Sequence, residues 1–500
     1  MMLSELAERI DGVHLQGRGD ISICSVTHDS RLVKPGSLFV ALAGRRADGL
    51  KFVPSAVSNG AVALGIDAES TFDSPLPLLK LKNPRRALAH LAAEVCGHPS
   101  HEMTTIGITG TNGKTTVASI VAGICEAAGQ TQGQIGTNGH RIGQRAIPAA
   151  FTTPEAPRLQ LLLREMRDAN VQTAVMEVSS VGLEEERVTG ISFSAVGFLN
   201  LTVDHLDYHG DMDRYGAAKA RLFTEGVKTG GTAIIGIDDE FGRQLLLKLQ
   251  TERPDLTLLS LSLLSQTADV YFESLECRAN GLSGRLRTPQ GTLAMESPLL
   301  GEFNAYNLAV AVALCQAAGI EQSAIIAGAE RVQVRGRMEA VLGADGPEVV
   351  VDYAHSPDAL KRVIDALRAV CTGTLWCVFG CGGDRDTTKR YPMGQAAAQA
   401  DAVIITNDNP RGEDAAAIAQ STAKGAWDAG RPSVAMPQLG GTFIELDRRL
   451  AIRSAINMAS RNDLVLIAGK GHETYQETAG VRAEFDDVVI ARQVLAEWCP

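Results

Sequence analysis

Five hundred residues are more than one hydrophobic core organises, so roughly two to four domains are expected, with three as the prior. The hydrophobic fraction of 45% and charged fraction of 21% are those of a soluble globular chain and leave no run long enough to suggest disorder. A net charge of −11 with dispersed Lys and Arg argues against a nucleic-acid or membrane-surface protein, which needs clustered cations, so anionic ligands must be met by local sites.

The opening Met-Met-Leu-Ser-Glu-Leu-Ala-Glu lacks a basic segment followed by an apolar core. No later apolar run reaches about 18 residues. A cytoplasmic protein without stable membrane insertion is expected. Nine cysteines without paired spacing favour reduced thiols, and no second pair or histidine set completes a zinc site beside Cys377 and Cys381.

The segment to about His98 reads as a small α/β or β-rich domain, with Pro35-Gly36 between two strand-like runs. Asp29-Ser30-Arg31 and Gly44–Gly49 are polar, turn-rich loops that could hold a phosphorylated or sugar ligand, although solvated turns are the plainer account. Cys96–Glu102 reads as a linker.

Ile106–Val117 is an apolar strand that breaks into Gly110-Thr111-Asn112-Gly113 and restarts as a helix at Lys114-Thr115-Thr116. The glycines can turn successive N–H groups toward one anion. Lys114 supplies a charge and the Thr115 hydroxyl can hold Mg²⁺. Ile108 occupies the first glycine position of the common phosphate-loop pattern, so the spacing here is a variant. ATP or GTP is the expected ligand.

Val171–Ser180 is a buried strand bearing Glu177, a carboxylate that burial makes costly unless paired, which marks it as a Mg²⁺ ligand candidate. Ala195–Leu201 leads into Thr202–Gly210, where Asp204, His205, Asp207 and His209 crowd past a strand end, favouring metal or phosphate work. Tyr215–Phe223 is helical by composition, and Lys219 alone would be a solvated helix lysine. Gly301–Leu308 opens an apolar helix on which Asn304 and Asn307 can share a face, either as caps or reaching a base edge. From Val332 onward four apolar strands each end in a charged loop, at Asp352, Gly380–Asp386, Thr406–Arg411 and Gly469–Glu473. This describes an open parallel sheet with loops gathered at its carboxyl edge, where a second ligand should sit.

Taken together, Gly-Thr-Asn-Gly-Lys-Thr-Thr, Asn200-Leu-Thr-Val-Asp-His-Leu-Asp-Tyr-His-Gly, Gly336-Arg337-Met338-Glu339, Asp352-Tyr-Ala-His355 and Asp408-Asn-Pro-Arg411 closely resemble the Mur ligases. The motifs run from Asp29 to Asp487. The resemblance implies an α/β protein of three domains: a small uridine-nucleotide domain (1–98), a central P-loop ATPase domain with a mostly parallel sheet (99–331) and a C-terminal Rossmann-like domain (332–500). It implies an ATP-dependent amide ligase that phosphorylates the D-glutamyl carboxylate of UDP-N-acetylmuramoyl-L-alanyl-D-glutamate to an acyl phosphate, which the amine of the added amino acid attacks. Such chemistry rests on positioning and charge neutralisation rather than on a protein nucleophile. Peptidoglycan precursor synthesis and a monomeric state are the corresponding expectations.

By the same resemblance, Gly110 to Thr116, with Asn304, Arg337 and Asp352, hold ATP. Lys114, Glu177, His205 and Lys219 are catalytic, and Thr115, Glu177 and His205 form the Mg²⁺ site with Lys219 once CO2 has converted it to a carbamate. Ser30, Arg45, Arg46, Ala47, Thr152, Thr153, Ser179, Glu185 and Arg187 fall where the UDP-muramoyl dipeptide binds. Arg390, Asp408, Asn409, Pro410, Arg411, Gly469 and Glu473 fall where the added amino acid binds. Two positions depart from relatives: Val181 stands where many carry a histidine, and Glu185 where some carry a glutamine.

The added residue is read as meso-diaminopimelate rather than L-lysine, because the Arg411 guanidinium gives a planar bidentate match to the distal carboxylate that lysine lacks. The Asp-Asn-Pro-Arg form is that of diaminopimelate-adding relatives. The lysine-adding ligase, a folylpolyglutamate-synthetase-like ligase and a non-ligase nucleotide switch or transport ATPase remain as alternatives.

Overall fold

Short apolar runs, each ended by glycine or a charged loop, become the strands of three mostly parallel sheets in the computed structural model, which describes residues 1–44, 48–278, 280–341, 343 and 346–498. Two compact units result: Met1–Glu273 with Arg285–Ala294 and Tyr306–Ala329, and Ser274–Gly284 with Met295–Ala305 and the chain from Glu330 onward. Strands Tyr271–Arg278, Gly281–Thr288 and Gly291–Ser297 and helix Glu302–Ala317 contribute residues to both.

The first unit begins with a five-stranded sheet in the order Val13–Gln16, Leu78–Leu81, Ala61–Asp67, Ser37–Val40, Ser25–Thr27, parallel except for the first strand. Helix Pro84–Cys96 starts on an Asn83 cap with proline in its first turn and stops at Gly97, which takes the left-handed conformation. It buries Ala87, Leu88 and Leu91 against that sheet's core. The stretch expected as a linker is more ordered than that: Pro99–His101 forms one 3-10 turn, and the buried Ser100 hydroxyl accepts a bond from Ser192 N–H.

An eight-stranded sheet follows. Its centre is β1 (Thr104–Thr109), which leads through the glycine loop into α1 (Lys114–Ala127). β1 is flanked by β2 (Thr173–Glu177) and β3 (Phe193–Phe198), both parallel to it. Beyond β3 lie Val227–Gly236 and Thr257–Leu261, and beyond β2 lie Gln132–Gly136 and the antiparallel Gly139–Ile142 and Arg145–Ile147. A strand in this position is covered on both faces, as the fully buried Ile106 and Ile108 require, so its functional groups emerge only at its carboxyl end. Helix α2 (Met212–Arg221) carries Lys219 and is capped by Asp211.

In the second unit the four expected strands are β4 (Glu348–Asp352), β5 (Leu375–Phe379), β6 (Ala402–Ile405) and β7 (Leu464–Ala468). They are parallel in the order β4-β7-β5-β6, with antiparallel Glu339–Val341 and parallel Thr442–Ile444 at the edges. The order brings the loop after β7 beside those after β4 and β5. Beneath these loops Arg448 and Asp487, both 0% exposed, form a bidentate pair of 2.8 and 2.7 Å. Arg448 also donates to the Ala468 carbonyl at 3.0 Å and the Asn407 carbonyl at 3.3 Å, tying together the chain just past β6 and the end of β7. Among the described residues no helix is long and apolar enough to cross a membrane, and the described cysteines are free thiols.

Removing one partner of a buried ion pair leaves the other uncompensated, so Asp487→Ala should lower the stability of the second unit by about 3–5 kcal/mol. Denaturant unfolding followed by the fluorescence of buried Trp376 measures it; a loss under about 1 kcal/mol would show that the pair bears little of the load.

Candidate active site

The phosphate loop is held in shape before any ligand arrives. Gly113 caps α1 at φ +92, and a Cβ there would lie 2.4 Å from Asn307 Oδ1, so the turn admits only glycine. Asn200 and Thr202, just past β3, clamp it: Asn112 N–H donates to Asn200 Oδ1 at 2.9 Å, Asn112 Nδ2 to Thr202 Oγ1 at 3.3 Å, and Thr111 N–H to the Asn200 carbonyl at 2.9 Å. Lys114 Nζ donates to the carbonyls of Gly110 at 2.8 Å and Thr111 at 2.9 Å. Thr116 is buried in the first turn of α1.

The Gly110 carbonyl accepts a second amine, Lys219 Nζ from α2, at 2.9 Å. Lys219 is 1% exposed. Burial first, and the charge of Lys114 second, push its pKa well below the ordinary lysine value, against the opposing pull of Asp204. Its nitrogen lies 4.3 Å from the centre of the Tyr215 ring, and the Tyr215 hydroxyl is 3.2 Å from Thr111 Oγ1. The amine is therefore held out of water against the phosphate loop, where its charged form is disfavoured.

Glu177, 1% exposed, ends β2 with its carboxylate satisfied by the Thr115 hydroxyl at 2.8 Å, the Thr137 hydroxyl at 3.1 Å and Thr137 N–H at 2.8 Å. Thr152 Oγ1 is 3.0 Å from Thr137 Oγ1. Of the four expected metal-site residues the structure thus brings Thr115 and Glu177 together. His205 is half-exposed at φ +54 and turned to its neighbour Asp204, with Nε2 3.6 Å from Oδ2. Among the described residues no group of three or more His, Cys, Asp or Glu forms a metal cage. One hydroxyl and one carboxylate nevertheless suit Mg²⁺, which takes few protein oxygens and completes its shell with phosphates and water.

The residues expected to meet the UDP-muramoyl dipeptide form a polar network. Thr153 Oγ1 donates to the Glu177 carbonyl at 2.9 Å and accepts from Ser179 N–H at 3.0 Å, while the Ser179 side chain caps the next helix. Arg187 donates to the Thr153 carbonyl at 3.0 Å, pairs with Glu155 at 2.7 Å and lies 5.0 Å from the centre of the Phe151 ring. Glu185 pairs with Arg85 at 2.6 Å and accepts from the Tyr208 hydroxyl at 2.6 Å. Arg85 and Tyr208 were not singled out in the sequence, and Arg85 is a hundred residues from its partner. Ser30 is buried, its carbonyl accepting from Asn59 at 2.8 Å. Arg45, Arg46 and Ala47 lie outside the described residues. Where Val181 removes an imidazole, His209 brings another to the same helix, 2.9 Å from Ser180 Oγ.

In the second unit, buried Asp352 at the end of β4 accepts from Met338 N–H at 2.8 Å and Ala354 N–H at 2.7 Å. Burial pushes its pKa up, opposed by Arg337 and these two donors. Arg337 stacks 4.5 Å over the Tyr353 ring and its buried Nε has no partner among the described residues, an orphaned donor suited to an anionic ligand. Asn304 is buried, with Nδ2 donating to the Leu300 carbonyl at 2.9 Å. His472 stacks beside Tyr353, and burial, with Arg337, pushes its pKa down to about 4.

The loops after β6 and β7 bring the expected amino-acid residues together. Asn409 Nδ2 donates to Glu473 Oε2 at 2.8 Å, and a Cβ on Gly469 would lie 2.8 Å from Asp408 Oδ2. Arg411 follows Pro410 at φ +51; its N–H donates to the Glu477 carbonyl at 3.0 Å, its carbonyl accepts from Ala479 N–H at 2.6 Å, and Nη1 donates to the Gly383 carbonyl at 2.7 Å. The bonds to 477 and 479 come from a hairpin, Tyr475–Thr478 and Val481–Glu484, that sequence reading did not place here. Arg390 is buried and paired with Glu413 at 2.8 Å, its Nε also without a partner among the described residues.

Three domain families match in chain order: "Mur ligase family, catalytic domain" over residues 22–95, "Mur ligase middle domain" over 108–315 and "Mur ligase, glutamate ligase domain" over 336–471. A UDP-N-acetylmuramoyl-L-alanyl-D-glutamate–2,6-diaminopimelate ligase of Xanthomonas campestris pv. campestris is 42% identical over 483 residues, covering 95% of this chain and 94% of its own. The chain belongs to the Mur ligase family. A ligase of the same description from Geobacillus thermodenitrificans is 40% identical, covering 99% of this chain and 100% of its own. A solved structure so described superposes with a TM-score of 0.73 at 33% identity, covering 99% of this chain and 98% of that one.

In this Mur ligase the buried Lys219 amine carries a stability signature. Because its pKa in the fold lies below 10.5, the unfolded chain binds more protons between the folded and the unfolded pKa, and this unfavourable contribution fades as pH rises toward the unfolded value. Lys219→Met should therefore raise the thermal midpoint near pH 7 in CO2-free buffer, with the gain shrinking near pH 10. A gain independent of pH would contradict a lowered pKa at the buried amine.

Proposed function

We propose that this Mur ligase joins meso-diaminopimelate to the D-glutamyl carboxylate of UDP-N-acetylmuramoyl-L-alanyl-D-glutamate, converting ATP to ADP and phosphate. The observation that carries this reading is the Asp408–Arg411 loop with its pinned arginine, in a chain whose relatives of that description match over almost its full length. A substrate carboxylate oxygen attacks the γ-phosphorus and ADP leaves. The amine then attacks the carbonyl carbon of the acyl phosphate, phosphate leaves and the nitrogen loses its proton.

The loop N–H groups at the start of α1 and the Lys114 ammonium cradle the phosphates as charge moves to the leaving oxygen. Mg²⁺, when bound, neutralises phosphate charge, and Thr115 and Glu177 would hold it. Lys219 is suited to carbamylation because only a neutral amine attacks CO2: an N–C bond forms, a proton leaves, and the product is an anion beside the phosphate loop. Arg337 and Asp352 suit the nucleotide, and Thr152, Thr153, Ser179, Glu185 and Arg187 the UDP-substrate. The setting proposed is cytoplasmic peptidoglycan precursor synthesis by a monomer; the free thiols and the lack of a membrane-length apolar helix, both among the described residues, support the cytoplasmic part of that reading.

Phosphate release by the purified protein with ATP, Mg²⁺ and UDP-muramoyl dipeptide should require meso-diaminopimelate and be poorly supported by L-lysine. Faster turnover with L-lysine would assign the alternative amino acid, equal rates would overturn the selectivity assigned to Arg411, and turnover without either co-substrate would mark a nucleotide switch. Arg411→Ala should weaken diaminopimelate use by about 2–5 kcal/mol while leaving ATP and UDP-substrate KM nearly unchanged.

Replacing Lys219 with alanine should abolish ligation, and a small added carboxylic acid should partly restore it. Full activity in the alanine variant would remove Lys219 from the mechanism.

A further inference from the structure

Lys470 lies between Gly469 and Gly471 in the loop after β7, and its side chain is 0% exposed. A buried ammonium is costly unless its donors are satisfied. Lys470 Nζ donates to Asn409 Oδ1 at 3.1 Å and Glu473 Oε2 at 3.0 Å and lies 5.6 Å from the centre of the Tyr475 ring. Asn409 Nδ2 donates to the same Glu473 oxygen at 2.8 Å, and Asn409 Oδ1 also accepts from Glu477 N–H at 2.9 Å. Three side chains from two loops thus close a ring of hydrogen bonds. Glu473 Oε2 carries two donors, while among the described residues Oε1 carries none. The Lys470 charge also faces buried Asp408.

We infer that Lys470 is a positioning residue for the incoming diamino acid, locking Asn409 and Glu473 so that Glu473 Oε1 accepts a hydrogen bond from a substrate ammonium. This rests on the reading of Glu473 as part of the amino-acid site. Lys470 does not itself meet the substrate, because its ammonium is enclosed by Asn409, Glu473 and Tyr475. Its effect is to fix a carboxylate that would otherwise sample several rotamers at the end of a flexible side chain.

The test is steady-state kinetics of Lys470→Met, Glu473→Gln and the double variant. Lys470→Met should raise KM for meso-diaminopimelate roughly 10- to 100-fold, with kcat less affected and KM for ATP and UDP-substrate within about twofold. The double variant should be no worse than Glu473→Gln alone, since Lys470 acts through that carboxylate. An unchanged diaminopimelate KM in Lys470→Met, an equal rise in all three KM values, or additive losses in the double variant would overturn the inference. A diaminopimelate KM unchanged in Glu473→Gln would instead overturn the underlying site assignment. If Lys470→Met does not fold, as judged by UDP-substrate binding, Lys470→Gln replaces it under the same criteria.

Discussion

Two lysine amines share one carbonyl oxygen, that of Gly110, and much of the first unit follows from it. Bonds of 2.8 and 2.9 Å from Lys114 and Lys219 to one atom place the nitrogens under about 6 Å apart, where two charges at an effective dielectric of 20 repel by roughly 3 kcal/mol. That repulsion disfavours carrying both charges at once. Lys114 sits at the helix start and is only partly buried, whereas Lys219 is enclosed by Tyr215 and the loop, and burial and the Lys114 charge push its pKa well below the ordinary lysine value. The same carbonyl joins α2 to the turn that opens α1, so the segment from Asp204 to Arg221 is referenced to the phosphate loop.

A second constraint acts at strand ends in both units. A strand covered on both faces can expose chemistry only at its carboxyl end, and an acid placed there is still largely out of water. Glu177 is accommodated by two threonine hydroxyls and one N–H, and Asp352 by two backbone N–H groups. In each case the protein donors match groups a ligand can replace or join. Arg448 does the corresponding work below the loops of the second unit, where two strand ends would otherwise leave carbonyls unpaired in a dry interior.

These constraints explain what could be read from the residues alone. Apolar runs ending in charged loops mark parallel strands, and β4 to β7 are found as such because hydrophobic continuity and loop chemistry agree. Glu177 stood out because a lone acid in an apolar strand needs a partner. Lys219 did not: local composition cannot distinguish a solvated helix lysine from one enclosed by a tyrosine and a distant carbonyl, and only the family resemblance marked it. Arg85, Arg448 and Lys470 were missed for the same reason, since each owes its role to partners between three and a hundred residues away. Four ionisable groups in one loop suggest metal or phosphate work, and in the fold the His205 imidazole lies beside its neighbour Asp204, with Nε2 3.6 Å from Oδ2.

On the proposed reading, in which Arg411 meets the distal carboxylate, selectivity for the added amino acid depends on how firmly Arg411 is held. Its N–H and carbonyl are both fixed by the hairpin after Glu473, its backbone sits in the left-handed region, and one guanidinium nitrogen is tethered to Gly383. A loose arginine would swing to solvent when a substrate offered no carboxylate, and discrimination would shrink to the value of one exposed contact. A pinned and half-buried guanidinium cannot recover its hydration that way, so a substrate lacking the distal carboxylate leaves it unpaired and bears the full difference. Under that proposal, specificity comes from the hairpin's two backbone bonds as much as from the charge they present.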